Sequence, residues 1–254
     1  MAWISYLLMA IVGLSVGSFI NVVVYRLPKQ LLQTDNTLRL WSPASHCPTC
    51  KKNLRWPDLL PVIGWLLLQG KCRYCQAAIS ARYPLVEFFS AFVALTLLFR
   101  QPVDGIFAAS LLLFWMLLAL SLIDIDHFLL PDVITLPLLW LGLVLKAGEG
   151  IPGSLHDAIF GAVIGYSALW LISHIYQSIT GINGLGMGDA KLLAALGAWL
   201  GWPLLPYVLL IACGGAILAL FIGKIAWQRD LDHPLAFGPW MALAGISLFI
   251  NTII

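Results

Sequence analysis

The stretch Leu111-Leu112-Leu113-Phe114-Trp115-Met116-Leu117-Leu118-Ala119-Leu120-Ser121-Leu122-Ile123-Asp124-Ile125-Asp126-His127 runs an apolar segment straight into two carboxylates. The apolar part, read over residues 105–123, approaches the length of about 20 residues that a helix needs to cross a bilayer. An ionised carboxylate beside such a run costs about 2.5 to 3.5 kcal/mol on insertion scales, so acids kept there mark function. The acidic segment continues through Phe128-Leu129-Leu130-Pro131 to Asp132, and another acid in a glycine-rich setting follows at Gly184-Leu185-Gly186-Met187-Gly188-Asp189. Two carboxyl groups that approach closely cannot both ionise. One then keeps a proton and serves as acid while the other polarises a water for attack on a carbonyl, which is peptide hydrolysis without a covalent intermediate. The glycines before Asp189 suit a backbone leaving regular helix and making room for a substrate strand. Glycine pairs also serve close packing of membrane helices, so this motif alone leaves both roles open.

Working outward, 61% of the 254 residues are apolar, 10% are charged and the mean hydropathy is +0.92. A soluble domain of this size could not hide so much apolar surface. Apolar runs near residues 4–25, 84–99, 105–123, 129–146, 155–176, 189–200, 203–224 and 235–253 predict an all-α polytopic membrane protein with about eight transmembrane helices. The run at 189–200 is short for a crossing and reads as tilted, or as extended through Gly201-Trp202-Pro203. No basic segment precedes the first run, and Arg26-Leu27-Pro28-Lys29 follows it, so it reads as a retained anchor rather than a removable signal.

Residues 26–83 hold nine of the fourteen Lys and Arg residues against only Asp35 and Asp58, a local excess of seven positive charges. The positive-inside rule puts this segment in the cytoplasm, with both termini outside. Counting spans from there brings both acidic motifs to the cytoplasmic side. The basic excess serves as a topology determinant, and attraction to anionic head groups or to an acidic partner stays open beside it. No nucleic-acid partner is expected. The domains are expected to be a first transmembrane helix at 1–25, a basic cytoplasmic module at 26–83 and a transmembrane core at 84–254.

Within that module stand Cys47-Pro48-Thr49-Cys50 and Cys72-Arg73-Tyr74-Cys75, two C-x-x-C knuckles with 21 residues between them. Four thiolates presented in pairs from tight turns close a tetrahedral shell, so a structural Zn²⁺ on Cys47, Cys50, Cys72 and Cys75 is expected. Disulfides do not suit a reducing cytoplasm, and a thioredoxin-type dithiol expects a soluble βαβ setting. His46 beside the first knuckle is an alternative ligand. Cys213, inside an apolar run, is expected to be a small buried residue. The run Leu59-Leu60-Pro61-Val62-Ile63-Gly64-Trp65-Leu66-Leu67-Leu68 is too short to span, and reads either as a membrane-facing element or as the core of the module.

In their order and spacing these pieces resemble the type IV prepilin peptidases, bifunctional leader peptidases and N-methyltransferases of the GxGD intramembrane aspartyl protease type. The resemblance rests on Gly17-Ser18-Phe19-Ile20-Asn21-Val22-Val23-Val24-Tyr25-Arg26-Leu27-Pro28, both knuckles, Ser80-Ala81-Arg82-Tyr83-Pro84-Leu85-Val86-Glu87, the Asp124–Asp132 segment and Gly186-Met187-Gly188-Asp189. It implies a catalytic pair at Asp124 and Asp189, with Asp126 and Asp132 as further candidates. On a continuing helix Asp124 and Asp126 stand about 200° apart, so only one can face Asp189. It also implies cleavage of a short basic leader from a prepilin or pseudopilin, usually after glycine. Methylation of the new N-terminal residue, typically phenylalanine, would follow, with S-adenosylmethionine as donor. Gly70 and Glu87 are the candidate residues for that cofactor; a turn glycine and an ion-pair partner of Arg82 are the structural alternatives. The implied location is the bacterial inner membrane, among lipids, with the active sites facing the cytoplasm, and a homo-oligomer stays open.

Asn21 and Asn183 read as helix-capping or interhelical groups, and Trp3, Trp41 and Trp202 as interfacial anchors. A proton-coupled transporter would also carry intramembrane acids, but it expects inverted repeats, and none is found. A non-catalytic assembly subunit with a zinc knuckle is the third class.

Overall fold

The computed structural model describes residues 2–33, 39–181, 186–227 and 235–253. Over these residues the chain is helical, with no strand beyond two isolated β-bridges, His46 with Asn53 and Lys71 with Ala78. The helices are α1 (Ala2–Leu31), α2 (Ile63–Leu67), α3 (Arg82–Arg100), α4 (Gly105–His127), α5 (Asp132–Ala147), α6 (Leu155–Thr180), α7 (Met187–Leu200), α8 (Leu205–Trp227) and α9 (Gly238–Ile253). Every apolar run read from the sequence falls on one of them. Among the described residues, five segments are long and apolar enough to cross a membrane: α1, α3, α4, α6 and Trp202–Ile225, which contains most of α8. Helices α5 and α9 have 16 residues each and α7 has 14.

The boundaries follow from local chemistry. Asp104 caps α4 by accepting the Phe107 amide at 2.8 Å, and Ser154 caps α6 by accepting the Asp157 amide at 3.0 Å. Phe128 ends α4 in the left-handed region (φ 51°). Pro131, which has no N–H to give, then serves as the N-cap from which α5 starts. The run expected from residue 129 is therefore helical only from Asp132.

The chain divides into two compact units, Met1–Val103 and Asp104–Ile254. In the first, α1 and α3 pack backbone to backbone. A Cβ on Gly13 would lie 2.6 Å from the Ala91 Cα, and one on Gly17 would lie 2.7 Å from the Glu87 Cα. Small residues four apart permit this approach where lipid offers no hydrophobic drive for association. Buried Ser90 donates to the Gly13 carbonyl at 2.7 Å, and Asn21 donates to the Tyr83 carbonyl at 3.1 Å, so Asn21 is interhelical as read; Asn183 lies outside the described residues. Beyond α1, buried Arg26 gathers the chain by donating to the carbonyls of Arg39, Leu40 and Pro43.

In the second unit α7 is the hub. Ten of its 14 residues are buried, against α5, α6 and α9. Gly197 of α7 meets the Gly161 carbonyl of α6 so closely that a side chain on either would collide with the other's backbone. Trp199 donates its indole N–H to the Leu138 carbonyl of α5 at 2.8 Å and meets Phe249 of α9 edge-on, with ring centroids 5.4 Å apart. One expectation fails here: Cys213 is exposed on α8. Its side chain is apolar enough to face lipid as readily as a core, so an apolar run does not fix its direction.

Candidate active site and metal centre

The two acidic motifs come together at one end of the second unit. On α4 the side chain of Asp124 turns inward, only 5% exposed, while Asp126, two residues on, is exposed. Asp124 Oδ2 accepts the Gly238 amide at 2.9 Å. Gly238 opens α9, so this N–H is one of the four that a helix N-terminus leaves without an internal partner. Asp189 lies in the first turn of α7, after the N-cap Gly186. Both carboxylates therefore sit at the positive ends of helices, Asp189 on its own and Asp124 on that of a neighbour. The charge of Asp124 reaches Asp189, so the two acids share one electrostatic environment. Leu130, from the break between α4 and α5, packs beside Gly188 and Gly238 and closes the floor of the pair.

Asp132 is held elsewhere, in an ion pair with Lys191 of α7 at 2.7 Å. It fastens the start of α5 to α7. Gly184 and Leu185 lie outside the described residues, so the glycine-rich motif is seen only from Gly186 on. The reading of the sequence missed Gly238. Its signal was Phe237-Gly238-Pro239 at the head of the last apolar run, a glycine and a proline where a plain span was read.

The second cluster belongs to the first unit. Cys47, Cys50, Cys72 and Cys75 bring their four Sγ atoms within 4.8 Å of one another, with Cys47 3.8 Å from Cys75 and Cys50 4.0 Å from Cys72. Thiolates placed tetrahedrally at about 2.3 Å from one metal ion stand about 3.8 Å apart, so the four residues fit such a centre. The two knuckles are built alike. The first cysteine of each donates its amide across the turn, to Lys52 at 3.0 Å and to Ala77 at 2.8 Å. Lys51 and Gln76, each directly after the second cysteine, both take φ 58°. Amide N–H groups of Cys50 and Thr49 point at the Cys47 sulfur and, against its burial, lower that thiol to about 6. His46 is outside the cluster, its ring nitrogen Nδ1 3.1 Å from the Ala44 carbonyl. Arg73, inside the second knuckle, forks onto Asp58 with its Nε 3.0 Å from Oδ1, tying that knuckle to the 3₁₀ turn Trp56–Leu59.

Next to the first knuckle opens a cavity of about 410 Å³, lined among others by Asn21, Tyr25, Cys47, Trp65, Ile79 and Glu87. Glu87, 7% exposed on α3, accepts the Val62 amide at 2.7 Å and is hydrogen-bonded to Ser18. Gly70 takes φ 68° in a turn against the Trp65 ring and is not among the residues lining this cavity. Trp3, Trp41 and Trp202 are exposed, and Trp202 donates its indole N–H to Asp157 at 3.0 Å.

Residues 11–101 match the bacterial peptidase A24 N-terminal domain, and residues 111–223 match the type IV leader peptidase family. Three similar proteins bear the name prepilin leader peptidase/N-methyltransferase. That of Stutzerimonas stutzeri is 42% identical over 95% of this chain and 89% of its own. The Pseudomonas aeruginosa protein is 44% identical over 92% and 86%, and the Pectobacterium carotovorum protein 43% identical over 94% and 90%. No solved structure matches the chain. The two family matches adjoin along the sequence and the relatives run nearly its whole length, so the chain belongs to the type IV leader peptidase family.

Proposed function

We propose that this protein is a membrane aspartyl endopeptidase that removes the leader of type IV prepilins or type II secretion pseudopilins, usually after glycine, and then N-methylates the new N-terminus. The observation that carries the peptidase is the pairing of Asp124 and Asp189, brought from separate helices to one end of the bundle, with Gly238 holding one oxygen of the first. With its Oδ2 engaged by that amide, Asp124 keeps Oδ1 for a water or the scissile carbonyl. Of the pair, the ionised carboxylate takes a proton from the water as its oxygen attacks the carbonyl carbon. The protonated one donates to the carbonyl oxygen and, on collapse, a proton passes to the departing amine. Asp124→Asn and Asp189→Asn keep shape and lose this proton traffic. Each is expected to abolish cleavage of a leader-bearing pilin peptide by purified, folded protein, and full activity in Asp189→Asn would refute the mechanism.

S-adenosylmethionine, when bound, offers a methyl group on a sulfonium. It would supply that methyl to the freed N-terminal amine, which acts as the nucleophile. Gly70 and Glu87 are the residues of this chain proposed for that cofactor, and Cys47, Cys50, Cys72 and Cys75 for a structural Zn²⁺. We place residues 26–83 in the cytoplasm of a bacterial cell, beneath the inner membrane, with about eight crossings. Helix α7 packs antiparallel to the first half of α6: its C-terminal neighbour Trp202 bonds Asp157 in the first turn of α6, and its Gly197 meets Gly161. Exposed Trp56, Leu66 and Leu67 support contact of the module with lipid.

A further inference from the structure

Four helix ends gather around the acid pair: the C-terminus of α4 and the N-termini of α5, α7 and α9. A peptide that continues from the pair into the bilayer must follow one of them. In lipid it does so as a helix, because a lone segment satisfies its own backbone there in no other way. Three of the four helices offer it little. Among the described residues, the large apolar side chains exposed on α4 are Leu112 and Ile125, on α7 Met187 and on α9 Leu243. Helix α5 is different. Val133, Pro137, Trp140, Val144 and Ala147 are all exposed, alternately four and three residues apart. That is the 3.5-residue repeat with which one helix packs along another over its whole length. The opposite face, with Thr135, Leu138 and Gly142, is buried, and there α5 receives Trp199 of α7.

Trp140 stands in the middle of this seam, 63% exposed. A lipid-facing tryptophan belongs at the head-group level, where its N–H meets water. On the placement proposed above, Trp140 instead lies about 12 Å along α5 from Asp132, toward the middle of the bilayer. Large aromatic side chains in such a position serve as anchors for a partner. Pro137, on the same seam, has no N–H to give the Val133 carbonyl, which leaves a backbone acceptor without its helical donor at the start of α5.

We propose that the outer face of α5 docks an apolar helix of the substrate, the segment that follows the scissile bond, with Trp140 as its central anchor. The assignment rests on the peptidase reading above and deepens it. A helix seated with its first turn at Val133 delivers the bond just before it to Asp124 and Asp189, because α5 starts beside the pair, tied to α7 through Asp132 and Lys191. Recognition then lies in an apolar helix with a matching seam as well as in the residues at the cut. Lipid alone, or a second copy of this chain, would also cover such a face. The experiment separates them.

Cleavage by the purified full chain is measured on two substrates, a whole prepilin and a short peptide that ends a few residues past the scissile bond. The proteins compared are wild type, Trp140→Ala and Leu218→Ala, the last on the exposed face of α8, with the thermal midpoint reporting folding. Trp140→Ala is expected to lower the ratio of kcat/KM for prepilin to that for peptide by about tenfold, through KM. Leu218→Ala should leave the ratio unchanged. In a second arm, Asp189→Asn protein with a benzophenone amino acid in place of Val144 is irradiated with uncleaved prepilin, and the adduct is expected within the apolar segment of the substrate. An unchanged ratio in Trp140→Ala with no substrate adduct would overturn the proposal and make this face a wall against lipid. An equal loss on both substrates with no substrate adduct would overturn it too, leaving α5 as a support for the acids alone. An adduct between two copies of the enzyme would overturn it in favour of a dimer. Wild-type protein that cleaves neither substrate would refute the peptidase reading itself.

Discussion

At the scale of single residues, burial resolves what spacing could not. A motif places Asp124, Asp126 and Asp132 within one segment, and only the helix shows that Asp124 faces inward, that Asp126 is exposed and that Asp132 is tied to Lys191. The expected order of cleavage activity is therefore near-wild-type for Asp126→Asn, moderately reduced for Asp132→Asn through loosening of α5 against α7, and none for Asp124→Asn. On the proposed mechanism the acid pair works as a unit, so Asp124→Asn with Asp189→Asn should be hardly slower than either alone, as single-turnover assays would report. Asp58 makes a second prediction. Its hydrogen bond from Arg73, more than any other contact, lowers its carboxyl below the ordinary range. A depressed carboxyl contributes stability that is complete above the unfolded value of about 3.9 and fades as pH falls through the folded one. The thermal midpoint of Asp58→Asn should thus lie below wild type at neutral pH, and the gap should close on acidification below about pH 4. A gap that widens there would contradict the pairing. This contact was not legible beforehand, since Asp58 and Arg73 stand in different turns and no periodicity links them. Cys213 was misread for a different reason: in a membrane chain apolar positions facing lipid and core look alike.

At the scale of elements, the N-terminus of α9 is the part of the site that sequence left hidden. A Cβ at Gly238 would lie 2.7 Å from Asp124 Oδ2 and 3.3 Å from Leu130 Cδ2. Gly238→Ala must displace the carboxylate, and cleavage is expected to lose about tenfold or more in kcat with KM little changed, since misplacement of a reacting group by about 1 Å costs as much or more. A fall in KM affinity with kcat preserved would assign Gly238 to substrate binding instead. The knuckles, by contrast, were readable outright, because four cysteines in two tight turns have few ways to be arranged. Replacing Cys50 with serine should release the metal, seen by elemental analysis, and depress methylation more than cleavage. Equal loss of both would mean that the module also organises the peptidase.

For the whole molecule, hydropathy located each long helix among the described residues, because each is built from an apolar run and a run of that kind in lipid is satisfied as a helix. What it could not rank was which of them meet, since α7 is no more apolar than its neighbours and its place at the hub comes from glycine contacts with α6 and the Trp199 anchor. The proposed sidedness is open to test with single cysteine reporters, in a variant whose native cysteines are replaced by serine, at Asn53 and at Glu149. A membrane-impermeant reagent applied from outside should label Glu149→Cys and spare Asn53→Cys; the reverse would invert the molecule. The brevity of α7 then carries a meaning of its own. Fourteen residues rise about 21 Å where the hydrocarbon layer is about 30 Å deep. With its far end level with the start of α6, the proposed orientation puts the shortfall on the side of Asp189, below the head groups. The helix works as a ruler. On the proposed mechanism it sets the depth to which a substrate must sink for its scissile bond to meet the acids, and one added turn, lifting Asp189 by about 5.4 Å, is expected to part it from Asp124 and abolish cleavage.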